Sequence, residues 1–156
     1  MKNQIRIVTG PIQSGKTTRL FKFVNTQTSV DGILSPIVND KRVLYHIGSR
    51  TIKEFEVNSI NKNIIEVGKY KFLQASFDWG NKILIAGLRK NPEWLIIDEV
   101  GKLELQEKGF HNSLKLILTE LEIFDTKLVL VIRDYLMKET IIKYNLDQFG
   151  YEIMEI

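Results

Sequence analysis

Residues 10 to 17 read Gly-Pro-Ile-Gln-Ser-Gly-Lys-Thr, with two glycines framing four residues and a Lys-Thr pair closing the run. This pattern can hold phosphate. Gly10 and Gly15 permit tight backbone turns, and the amides from Gly10 through Pro11, Ile12, Gln13, Ser14 and Gly15 to Thr18 line a cradle for anionic oxygens (Pro11 supplies shape but no N–H). Lys16 can reach the β- and γ-phosphates of a nucleotide, and the Thr17 hydroxyl can ligate Mg²⁺. An acidic pair completes the chemistry. Ile96-Ile97-Asp98-Glu99 places a carboxylate at the end of an apolar stretch. Asp98 can hold Mg²⁺ opposite Thr17, through a water. Glu99 can orient, and deprotonate, a water that attacks the terminal phosphorus.

These groups require particular elements. An apolar strand, Ile5 to Thr9, must deliver the loop, and a helix of about 16–26 must begin at Lys16, so that its N-terminal amides face the anion. Leu20 and Val24 give that helix an apolar side. A strand at Trp94 to Asp98 must carry the acidic pair to the carboxyl edge of a sheet, where open α/β sheets bind ligands. Leu128-Val129-Leu130-Val131-Ile132 reads as a fully buried strand. Helices are predicted over about 75–90, 107–123 and 138–145, and a last strand over about 151–155. The stretch of about 31–73 contains short apolar runs punctuated by Asn, Asp, Gly and Ser. It is read as a β-rich antiparallel insertion or edge, with Ile33 to Val38 as one run. The whole predicts a single α/β domain over 1–156, three-layered, with a mostly parallel core sheet.

At the acidic pair the chain resembles a known family. Asp98-Glu99-Val100-Gly101-Lys102-Leu103-Glu104-Leu105 is similar to the Asp-Glu-Ile/Val-Gly-Lys/Pro-Met/Leu-Glu-Leu signature of the small cancer-related and thermophilic-type nucleoside triphosphatases. Gly10 to Thr18, Asp31-Gly32-Ile33 and Val67-Gly68-Lys69-Tyr70 extend the resemblance, which covers about residues 5 to 135. It implies a P-loop NTPase domain, Mg²⁺-dependent hydrolysis of ATP and other nucleoside triphosphates with loose base preference, and kinship with small nucleotide kinases. Two other readings stand beside hydrolysis. One is a nucleotide or small-metabolite kinase, the other a nucleotide-gated binding module with slow hydrolysis.

Several residues carry open alternatives. Arg133 follows the buried strand; it either stabilises transition-state charge, pairs with Asp134 or stacks on a base. Lys102 and Glu104 either serve the phosphate site or form a loop salt bridge. His111 is expected at the surface or rim, and two histidines are too few for a zinc site. Arg19 either approaches phosphates or is solvated.

Composition narrows the rest. The chain has 156 residues, no cysteine and a formal charge of +3. Disulfides and thiol chemistry are excluded. The basic bias forms no dense cluster, so nucleic acid is not the expected partner; the nucleoside triphosphate is. No protein partner is legible. Met1 to Gln4 lead into the first strand, and no apolar run approaches the ~20 residues of a membrane helix, so a cytoplasmic protein with no membrane partner is expected.

Overall fold

The computed structural model describes residues 3–11, 15–59 and 63–156. In chain order it has β1 (Ile5–Gly10), α1 (Lys16–Asn25), β2 (Val30–Leu34), β3 (Ile37–Val38), β4 (Lys41–His46), β5 (Thr51–Glu54), β6 (Ile64–Val67), β7 (Tyr70–Leu73) and α2 (Gln74–Arg89). There follow β8 (Trp94–Ile97), α3 (Lys102–Leu105), α4 (His111–Glu120), β9 (Lys127–Arg133), α5 (Met137–Lys143), α6 (Leu146–Phe149) and β10 (Tyr151–Ile153).

The main sheet runs β10-β1-β9-β8-β2-β4-β3, with β5 on β4. From β10 to β2 every neighbour pairs in parallel; β4, β3 and β5 add antiparallel. Alternation along β9 sorts two layers. Leu128, Leu130 and Ile132 join the cluster that includes Leu84 and Leu88 of α2 and Leu114 and Ile117 of α4. Val129 and Val131 face the other way and pack with Leu20 and Val24 of α1. Burying one such side chain contributes roughly 1.5–3 kcal/mol, so both faces of a strand contribute only because both are covered.

The antiparallel region is smaller than the sequence suggests. β2 belongs to the parallel core through its pairing with β8, and the run from Ile33 to Val38 breaks at Ser35-Pro36 into two strands. Gly32 explains the first point. Its φ is +124°, and a Cβ there would lie 2.1 Å from the Ile96 carbonyl oxygen. Only glycine lets β2 approach β8 this closely. β6 and β7 form a separate hairpin, linked to residue 56 by an isolated bridge from Glu56 to Phe72. The helix expected over 107–123 starts at His111, because Glu107 and Gly109 both take positive φ. Its last turn, residues 121–123, is 3₁₀. Among the described residues, no helix is long and apolar enough to cross a membrane.

Candidate active site

β1 delivers the phosphate loop to the carboxyl edge of the sheet, and α1 departs from it at Lys16. Gly15 caps α1 with φ 79°, a left-handed turn that the loop motif reserves for glycine. Ile12, Gln13 and Ser14 lie outside the described residues. Lys16 Nζ donates to the carbonyl oxygens of Pro11 at 2.7 Å and Gly10 at 3.3 Å, which holds the ammonium at the loop's mouth. Burial lowers its pKa, and the nearby charge of Arg133 lowers it further. Thr18 lies beside it, exposed, on the first turn of α1.

β8 ends at Ile97, and Asp98 emerges from it into a buried position. The Asp98 amide donates to the Ile33 carbonyl, so β2 helps to hold it. Thr17 Oγ1 and the Ser35 amide each donate to Asp98 Oδ2 at 2.9 Å. Thus the two residues assigned to Mg²⁺ from sequence do meet, across 81 positions of chain. Burial raises the Asp98 pKa, while the bonds from Ser35 and Thr17 oppose that rise. A cation at Oδ would reverse it. A hydroxyl and a carboxylate are the hard oxygen donors that Mg²⁺ uses, with substrate phosphates and waters completing its shell. Among the described residues, no cluster of three or more His, Asp or Glu side chains is placed to hold a metal ion.

Glu99 has the largest positive φ among the described non-glycine residues. Its φ is 73°, a left-handed conformation costing a side-chain-bearing residue about 1–3 kcal/mol. Strand alternation does not separate it from Asp98, since β8 has already ended; this backbone turn does. The Val100 amide then re-anchors the chain on the Val131 carbonyl at 2.8 Å. Glu99 Oε1 meets Arg133 Nη2 at 2.7 Å, with both side chains about a third exposed. Arg133 therefore pairs with Glu99. The Asp134 carboxylate instead accepts the amide of Tyr135. Arg133 also stands opposite Gly10 in the β1–β9 register, at the start of the phosphate loop. Lys16, Thr17, Asp98, Glu99 and Arg133 line one cleft of about 350 Å³.

Glu104 corrects the expectation of a loop salt bridge. It is buried, and its carboxylate accepts the amides of Gly101 at 2.7 Å and Phe110 at 2.9 Å. It clasps the start of α3 to the start of α4. Lys102 points elsewhere, with Nζ 5.9 Å from the Tyr135 ring centre. His111 is buried too, its Nδ1 2.7 Å from the Tyr144 hydroxyl. His46 closes the turn after β4, bridging Asp31 at 2.9 Å and Ser49 at 2.6 Å. Arg19 sits exposed on α1. Two contributors carried no sequence signal: the Ser35 amide, and Arg42, which reaches the cleft because β4 turns back antiparallel. Backbone groups have no residue signature, and an isolated arginine on a short strand has none either.

Burial pushes the Glu104 carboxyl up to about 7, from 4.5 as its ordinary value. The folded state therefore holds this proton more tightly than the unfolded chain. Glu104 costs nothing below about pH 4.5, and stability falls as pH rises to about 7, by on the order of 3 kcal/mol. His111, which burial lowers, has the opposite sign: its contribution rises with pH through its titration range. Urea midpoints from about pH 5 to pH 8 check this. Glu104→Gln loses one amide bond at every pH, so the slope is the readout. Stability is expected to fall less, or rise more, with pH than in the parent, and an identical slope would refute the role of Glu104.

A search of curated proteins found no match. Among solved structures, THEP1 from the hyperthermophile Aquifex aeolicus aligns with a TM-score of 0.76 at 22% identity, over 97% of this chain and 88% of that one. The likeness establishes the three-layer α/β fold with a mostly parallel sheet. A family model described as NTPase matches residues 6–153. The chain belongs to this NTPase family, a group of small P-loop proteins.

Proposed function

We propose that this protein hydrolyses nucleoside triphosphates, ATP among them, to the diphosphate and orthophosphate in a Mg²⁺-dependent reaction. The observation that carries the reading is the meeting of Thr17 and Asp98 at 2.9 Å in a cleft that also contains Lys16 and Glu99. Lys16 and the loop amides bind the β- and γ-phosphate oxygens. Thr17 and Asp98 hold the metal, which when bound neutralises charge on those oxygens. Glu99 orients the attacking water and takes its proton. Arg133 fixes the Glu99 carboxylate and sets a positive charge beside the phosphate loop, where it can compensate charge developing on the γ-phosphoryl oxygens.

Orthophosphate release from Mg–ATP, with Glu99→Gln as the comparison, tests this. The variant keeps the side-chain shape but loses the base. It is expected to bind ATP within about threefold of the parent and to turn over about a hundredfold more slowly. Turnover equal to the parent's would remove Glu99 from the mechanism. Absence of ATP hydrolysis by the parent itself would remove the mechanism.

A further inference from the structure

A second cleft, of about 440 Å³, adjoins the phosphate site and shares Arg42, Asp98, Glu99 and Arg133 with it. Its volume is within the roughly 300–1,000 Å³ of small-molecule sites. Water attack requires no such space. The two clefts meet at Asp98 and Glu99, which is the end facing the terminal phosphorus if a nucleotide occupies the phosphate loop. A molecule in the second cleft would therefore face the γ-phosphate, not the base.

The walls describe that molecule. The floor is aromatic: Phe55 and Phe77 lie 4.9 Å apart between ring centres, and Phe77 and Phe110 5.1 Å apart. At the rim, Tyr70 and Tyr135 are 46% and 49% exposed, so part of each ring is open to a flat guest. The cations along the wall are already engaged. Arg42 Nη1 donates to the Ser35 carbonyl at 2.6 Å, and Arg133 holds Glu99. Lys69 and Lys102 lie over the Tyr70 and Tyr135 rings. Five acidic side chains face four basic ones, and burial pushes the Glu104 carboxyl up to about 7, so the wall is close to charge balance. Such a wall offers no surplus of positive charge to an anionic guest.

We propose that this cleft is an acceptor site for a neutral, hydroxyl-bearing molecule with a flat aromatic body, of the nucleoside class, and that the protein transfers a phosphoryl group to it. The proposal rests on nucleotide binding at the phosphate loop. The acceptor hydroxyl oxygen forms a bond to the γ-phosphorus. The bond from that phosphorus to the β–γ bridging oxygen breaks, and its electron pair leaves with the diphosphate. The hydroxyl proton passes to Glu99.

The test is ³¹P NMR of the purified full chain with Mg–ATP, alone and with adenosine, guanosine, cytidine, uridine or thymidine, and with the matching 5′-monophosphates. A phosphomonoester signal with at least one nucleoside is expected, with an equal amount of ADP, formed about tenfold faster than without acceptor. Tyr70→Ala, a change at an exposed rim, is expected to raise the nucleoside KM about tenfold and to leave the ATP KM unchanged. No phosphomonoester with any nucleoside overturns the proposal, as does transfer only to monophosphates. Transfer indifferent to Tyr70→Ala also overturns it. So does a raised ATP KM, which would seat the nucleotide's own base in the cleft. Orthophosphate in the acceptor-free sample is scored separately. Release without transfer ends the acceptor reading and spares hydrolysis; transfer without release does the reverse.

Discussion

Lys16→Ala is expected to lower kcat/KM for Mg–ATP by about a thousandfold while leaving the fold intact. The Lys16 ammonium is held by two carbonyl oxygens, of Pro11 and Gly10, at the mouth of the loop. Partial burial and the adjacent Arg133 already disfavour its charge there. An anion arriving at that point relieves the imbalance, and more so as charge shifts onto the leaving diphosphate. Removing one well-aimed donor to developing charge typically costs about 2.7–4 kcal/mol of transition-state stabilisation. Lys16 is the first residue of α1, and alanine is the better helix former, so the thermal midpoint should not fall. Steady-state kinetics paired with a circular-dichroism melt reads both quantities. Activity within tenfold of the parent, with the melt unchanged, would mean that Lys16 does not contact the reacting phosphates.

Gly32→Ala should produce the largest loss of stability, about 3–5 kcal/mol. The added methyl would meet the Ile96 carbonyl oxygen at 2.1 Å and its amide nitrogen at 2.6 Å. Those atoms belong to the neighbouring strand, so no side chain can swing aside. Forcing β2 from β8 combines strain at a positive φ with overpacking, each about 1–3 kcal/mol. That is much of the roughly 5–15 kcal/mol a domain possesses. The damage would reach the site, because β2 anchors Asp98 through the Ile33 carbonyl. Urea unfolding followed by fluorescence of the two tryptophans measures it. A midpoint shifted by under about 0.5 kcal/mol in free energy would show that β2 can retreat cheaply.

The phosphate loop and Asp98 were legible because their chemistry is local. Eight consecutive residues specify the loop, and an apolar run ending in an acid specifies a strand edge. A mostly parallel core sheet followed from the apolar runs of β1, β8 and β9, but their order in the sheet did not. What stayed hidden depends on distant partners. β2 looked like the opening of an antiparallel region, because nothing within 30–34 reveals its pairing with 94–97. Glu104 read as a phosphate-site or loop salt-bridge residue and His111 as a rim residue, yet each is buried and finds its partner through a helix start or another helix. Arg133 had three plausible companions in sequence and took Glu99, 34 positions earlier. The turn at Glu99 had no signature at all, since glutamate gives no hint of a left-handed backbone.

The pairing of Gly10 with Arg133 makes the sign of charge beside the phosphate loop a matter of register. Were β9 to slide by one position, either Ile132 or Asp134 would stand opposite Gly10, and the cation would be replaced by nothing or by an anion. The same slip would turn Leu128, Leu130 and Ile132 toward α1, into space now filled by Val129 and Val131. Larger side chains would be forced into the smaller layer. The apolar alternation of one strand thus proofreads the electrostatics of the site: a chain that misaligns its charge must also misfit its core.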